Sequence, residues 1–241
     1  MQQNYAKNLA KLTNQTRGIV GSILAPACRV WLRSQVSHVD DLQVDIAGGS
    51  RQILGGTIPG VTVVAVGAVY QGLSLGSIDL IAENIRINLP QVLKGQPLRL
   101  LEPIAVMAKV KFSERDLQAS LAAPLLSQAI TDLFGQMLAT NLQQPEWSID
   151  WDRLQITPQT LKLHGNLTTN GQVAAIEIST GVAIFEGHIL HLDPLQITCA
   201  IDLPGSNITS HFIDLGSDVN ITQLELLTGE LLCQGRIQVN P

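Results

Sequence analysis

The stretch GGTIPGVTVVAVGAVYQGLSLGSIDL, residues 55–80, decides the fold. Val61, Val63, Val64, Val66 and Val69 put apolar groups on both faces of one strand, because successive strand residues point to opposite sides. Glycines interrupt it at Gly55, Gly56, Gly60, Gly67, Gly72 and Gly76. The run LSLGSIDLIAENIRINL, residues 73–89, supplies a reason. Its apolar positions are Leu73 and Leu75, then Ile78, Leu80 and Ala82, then Ile85, Ile87 and Leu89, so the parity changes twice. A one-residue slip turns every following side chain to the other face. Bulges near Gly76 and Ser77, and near Glu83 and Asn84, restore the inward face and bend the strand. The pattern predicts a strongly coiled sheet whose second apolar face needs a cover.

Outward from this stretch, LQVDIAG alternates Leu42, Val44 and Ile46 with polar residues, and GGSRQ from Gly48 reads as a hairpin turn. YQGL reads as a second turn, and PQVLKGQPLRLLEP, residues 90–103, as a proline-rich connection. Ile104, Val106, Ala108, Val110 and Phe112 share one face of a strand, with Lys109 and Lys111 on the other. Ser113 is then a good N-cap for a helix over 113–140, whose apolar stripe includes Leu117, Leu121, Leu125, Leu126, Ile130 and Phe134. Pro124 predicts a kink or two abutting helices. Strands resume at Trp147, Ile149 and Trp151, with a parity slip at Asp152 and Arg153. Asn170-Gly171 marks a hairpin, and 182–192, 195–201 and 224–239 read as further strands, with 203–221 as loop. The expected class is α+β: a helix, four strands, a long helix, then about five more strands, forming a strongly coiled, bulged antiparallel sheet wrapped around the long helix.

Residues 18–36 space Ile19, Val20, Ile23, Leu24, Ala27, Val30 and Trp31 as one helical stripe, with Pro26 predicting a kink or short break. One reading is a helix packed on the core. The other is an amphipathic helix in a membrane interface, with Trp31 at headgroup depth and Arg29 and Arg33 on phosphates. A signal peptide or lipoprotein reading, with Ala25-Pro26-Ala27 ahead of Cys28, competes with both, but the apolar run is short and contains Gly21 and Ser22.

Composition narrows the partners. Among 241 residues, 45% are apolar and only 4% aromatic, and the net charge is −5. Nucleic-acid binding, which needs a basic surface and stacking platforms, is disfavoured. Residues 1–39 hold Lys7, Lys11, Arg17, Arg29 and Arg33 and no acid, so a basic leader precedes an acidic body and favours an anionic surface as partner. Cys28, Cys199 and Cys233 are widely spaced and form no CxxC pair. No phosphate loop, dinucleotide fingerprint or nucleophile elbow is present, so no cofactor, metal site or catalytic residue is nominated. His188 and His191 are three apart in an expected strand and face opposite ways, and Trp147 and Trp151 read as core.

The segments IPGVTV, AVYQGL, NIRINL, GQPLRLLEP and the SERDL helix start resemble the cyanobacterial branch of the LmeA-like phospholipid-binding proteins. The resemblance spans roughly residues 17–240, taken as one domain after a flexible segment 1–16. It implies a tubular lipid-binding fold in which a coiled sheet wraps a long helix, and phospholipid binding at a membrane. Relatives from actinobacteria are exported, whereas the poor signal here favours a cytoplasmic, peripheral position. Aliphatic lining suits acyl chains, which need dry apolar volume. The candidates are Val61, Val63, Val69, Leu73, Leu75, Ile104, Val106, Val110, Leu121, Leu125, Ile130 and Phe134. Arg29, Trp31, Arg33, Lys94 and Arg99, with Arg51 beside them, are candidates for contact with the membrane surface. The rival expectation is a membrane-associated scaffold whose apolar faces are packed solid.

Overall fold

The computed structural model describes residues 19–138, 147–169, 171–201, 203 and 207–241, with side chains from Leu24 onward and without that of Leu138. Lys7, Lys11 and Arg17 of the basic leader, and Asn170 of the hairpin signal, lie outside these residues. The chain runs α1 (Ile19–Gln35), β1 (Asp41–Ala47), α2 (Ser50–Leu54), β2 (Thr57–Tyr70), β3 (Leu73–Arg86), α3 (Leu89–Val92) and β4 (Ile104–Ser113). It continues through α4 (Glu114–Ser120), α5 (Pro124–Leu138), β5 (Trp147–Thr157), β6 (Thr160–Thr169), β7 (Gln172–Phe185), β8 (Ile189–Cys199), β9 (His211–Asp214), β10 (Val219–Leu227) and β11 (Glu230–Val239). The described strands form two antiparallel sheets, one ordered β1-β2-β3-β4-β11-β10 and the other β5-β6-β7-β8-β9.

The glycines of residues 55–80 act at identifiable points, though the expected bulges in β3 do not form. β2 and β3 keep one register from Thr57↔Arg86 to Tyr70↔Leu73. The ladder instead skips the positions of Gly67 with Gly76 and of Pro59 with Asn84. Gly67 (φ 61°) and Asn84 (φ 55°) take left-handed backbone there, so both strands turn together without slipping. A side chain at Gly76 would lie 2.9 Å from the Lys111 carbonyl and 2.7 Å from Asp116 Oδ2, so glycine lets β3 approach the start of α4. Register shifts do occur elsewhere, between Trp151 and Arg153, between Thr180 and Val182, and between Ile221 and Gln223. The first coincides with the parity slip read at Asp152 and Arg153.

Four further expectations need revision. GGSRQ is not a tight turn, because Ser50–Leu54, the connection between paired β1 and β2, coils into α2 and buries Ile53 in a core cluster with Leu24 and Ile58. The run 182–192 is divided by a turn in which Glu186 (φ 52°) and Gly187 (φ 79°) both have positive φ, so His188 follows the turn and only His191 lies in a strand. The run 224–239 is likewise a hairpin, turning at Gly229, and 203–221 contains β9 and the start of β10, so among the described residues seven strands follow the helices. Helix α1 continues through an exposed Pro26, and its inward stripe is buried Leu24 and Cys28 with half-buried Leu32, leaving Val30 70% exposed.

Pro124 separates α4 from α5, as two abutting helices. α4 opens with a full capping box: Ser113 Oγ accepts from the Asp116 N–H at 3.1 Å, while Asp116 Oδ2 accepts from the Ser113 N–H at 3.0 Å. Its other side chains reach both sheets. Ser120 Oγ accepts from the Ser74 N–H of β3 at 2.8 Å. Gln118 donates to the Asp152 carbonyl and accepts from the Leu154 N–H of β5, each at 2.7 Å. Glu114 Oε2 accepts from the Ile156 N–H at 2.7 Å.

The core is divided accordingly. One cluster joins α1 to β1, β2, β3 and the start of β4, around Leu24, Ile53, Ile58 and Ile87. The other joins α4 and α5 to the second sheet, around Phe134, Leu167, Ile176 and Leu195. Replacing Gln118 with Ala leaves the part-buried Leu154 N–H without its acceptor, so unfolding in urea is expected to need about 1–3 kcal/mol less, with the m-value unchanged.

Candidate functional site

Neither cluster closes on itself. The first cavity, about 340 Å³, lies between α5, the inner face of the second sheet and β10. Ile130, Phe134 and Met137 look into it from α5, Leu163, Ile178 and Leu192 from the sheet, and Leu224 from β10. Phe134 is held edge-on by Trp147 (centroids 5.8 Å apart) and by Trp151 (6.2 Å). Trp151 in turn donates its ring N–H to Thr131 Oγ1 at 3.2 Å. Among the described residues Thr180 is the one polar residue lining this cavity, and its hydroxyl donates to the Gly181 carbonyl at 2.7 Å. The described lining therefore presents hydrocarbon and no free hydrogen-bonding side chain. A more polar hollow adjoins it, sharing Val182, Leu224 and Leu226 and edged by Gln159, Asp193 and Glu225.

The second cavity, about 200 Å³, lies under α1. Cys28, Trp31 and Leu32 form one side, Val61, Val63, Leu80 and Ala82 the floor, and Leu98 and Leu100 a strap over one end. The strap is pinned by buried Asn88, which donates to the Pro97 carbonyl (3.0 Å) and accepts from the Arg99 N–H (2.7 Å). Burial in this apolar setting pushes the Cys28 thiol up from 9.0 to about 11, and desolvation raises Cys233 as well.

The sequence-nominated lining residues divide between these places. Val61, Val63, Ile104 and Val106 line the second cavity, and Ile130 and Phe134 the first. Leu73 and Leu121 pack in the second cluster and line neither of these two cavities, Val69, Leu75 and Val110 are half-buried, and Leu125 is 41% exposed. Pro124 starts α5 afresh, so α5 presents Leu126, Ile130 and Leu133 inward while Leu125 turns outward. The second-sheet wall, Leu163, Ile178 and Leu192, was not nominated. Its alternation was visible, but the same alternation describes a filled core.

Arg29, Arg33, Arg51, Lys94 and Arg99 are exposed on α1, α2 and the strap, and none is ion-paired to a described residue. The large apolar side chains Val30, Leu54, Leu93 and Leu101 stand exposed on the same segments. Among the described residues no cluster of metal-ligating side chains occurs, and no helix is long and apolar enough to cross a membrane.

A family model described as LmeA-like phospholipid-binding matches residues 16–236. The chain belongs to this family. Neither a curated protein nor a solved structure matches it. The family is a lipid-binding one, and the match spans α1, β1 to β10 and most of β11, with all of the first cavity's described lining and all of the second's but Ile237 and Val239.

The raised thiol has a measurable consequence. Alkylation of Cys28 is expected to keep accelerating above pH 9.0 and to level only near pH 11, followed by peptide mass spectrometry. The unfolded chain ionises this thiol near 9.0, ahead of the folded one. Its contribution to stability is therefore complete below 9.0 and is lost between 9.0 and about 11.

Proposed function

We propose that the protein holds a phospholipid by its acyl tails in these cavities and works at a membrane surface, as a carrier or in maintaining membrane lipid. The observation that carries this reading is the first cavity: about 340 Å³ of space walled, among the described residues, by aliphatic and aromatic carbon and one hydroxyl that is already satisfied. Native interiors rarely leave voids much larger than a water molecule, and water gains nothing from a wall without polar partners. The volume falls in the range of ligand pockets, and each methylene buried there contributes about 0.8 kcal/mol. The open space also weighs against the scaffold reading, which requires packed faces. Protein purified under native conditions is expected to carry phospholipid, seen as adducts in native mass spectrometry and as lipid in a solvent extract. Lipid-free protein that also fails to take up a fluorescent phospholipid refutes the reading.

The docking face, on this proposal, is the region of α1, α2 and the strap. It combines cations that pair with no described residue and exposed Val30, Leu54, Leu93 and Leu101, the mixture that an anionic interface accepts. We place it peripheral to the membrane, on the cytoplasmic side. Flotation with anionic vesicles is expected to fall at high salt, and to fall further in the double variant Arg29→Glu, Arg33→Glu. Equal flotation of the variant and the native protein removes α1 from the docking face.

A further inference from the structure

Strand β4 passes from one cavity to the other. Val106 lines the second cavity, and Phe112 packs with the cluster around the first. Register extends this face across its neighbours. Leu80 pairs with Ala108, Ile78 with Val110, Val110 with Cys233 and Phe112 with Leu231. Leu80 lines the second cavity and Leu231 the first. One row therefore stands between the cavities: Ile78, Val110 and Cys233. The alternate residues, Asp79, Lys109 and Lys111, lie on the opposite face, where Lys111 pairs with Glu230 at 2.6 Å. The row is thus on the inner side of the sheet. All three residues are apolar and half-buried, yet Val110 and Cys233 pack with neither core cluster.

We infer that this row is the floor of a passage joining the two cavities, and that one long acyl tail of a bound phospholipid lies along it. The inference rests on the lipid-binding reading and adds to it a path and a requirement for chain length. From the Leu80 row to the Leu231 row is four residues of β11, about 13 Å at about 3.3 Å per residue. A bilayer's hydrocarbon core of about 30 Å contains two leaflets, so one membrane tail spans about 15 Å. Such a tail reaches across the row from one cavity into the other. A tail of about half that length fits in one cavity and leaves the row bare.

The test compares dioleoyl phosphatidylglycerol, offered as vesicles, with monomeric dioctanoyl phosphatidylglycerol, using the full chain after delipidation. Alkylation at Cys233 is read by peptide mass spectrometry, with Cys199 as internal control. Long-chain lipid is expected to slow Cys233 alkylation about tenfold, and short-chain lipid to leave it within about twofold. Val110→Trp is expected to weaken long-chain binding about tenfold, equivalent to about 1.4 kcal/mol, and to spare short-chain binding. Unchanged short-chain binding also reports that the variant is folded. If long-chain lipid binds but neither protects Cys233 nor senses Val110→Trp, the passage is refuted while the lipid-binding reading stands. If neither lipid binds, both fall.

Discussion

The two sheets are held together where three backbones meet. The Glu114 N–H, at the start of α4, donates to the Gly229 carbonyl at 2.8 Å, and the Gly229 N–H donates to the Ile156 carbonyl at 2.9 Å. The Glu114 carboxylate closes the triangle by accepting from the Ile156 N–H. Glu114 follows β4, Ile156 belongs to β5, and Gly229 is the turn between β10 and β11, so each corner comes from a distant part of the chain. Buried backbone groups must find partners, and here they find one another across elements that share no ladder. A second backbone bond, from the Ile221 N–H to the Gly187 carbonyl at 2.6 Å, and the packing of Leu226 and Leu231 into the second cluster complete the join, which leaves space between the sheets and the helices.

The cavities follow from this arrangement. Packing along β4 belongs at one end to α1 and at the other to α4 and α5, and neither helix group extends over the middle. A longer single helix would have covered more of the inner face. Pro124 and the bonds that hold α4 against β3 and β5 keep the helical cover short. Apolar surface of the helices faces apolar surface of the sheets across these cavities, a setting that favours hydrocarbon over water.

Much of the local chemistry was legible in the sequence, because its causes are local. Ser113 caps a helix through a residue three positions away, Pro124 ends a helix by its own ring, and the slip at Asp152 and Arg153 is a bulge in a single strand. Trp151 is buried, as its place on the strand implied. The misreadings share a different cause. Glu186 adopts a left-handed backbone that glutamate rarely takes, so Gly187 was the turn's one composition cue and was not enough to divide the run. Gln118 reads as an ordinary helix-surface glutamine until β5 arrives beside it. Of the glycines of β2 and β3, Gly67 does mark a bend, but the bending comes from left-handed backbone at Gly67 and at Asn84, each at its own skipped rung, and not from bulges. The cavities were least legible, because alternating leucines look alike whether they face other side chains or open space.

Strand β5 is the outer strand of its sheet, and its free backbone groups at Asp152, Leu154 and Ile156 all face away from β6. An outer strand left bare is a template on which a second copy of the chain can add. Here the Gln118 amide, the Glu114 carboxylate and the Gly229 N–H occupy these groups one after another. A protein with an open hydrocarbon interior has more reason than most to avoid its own kind. The same few polar atoms that fasten the sheets also deny that edge to a neighbour, which makes them a colloidal safeguard as well as a structural joint.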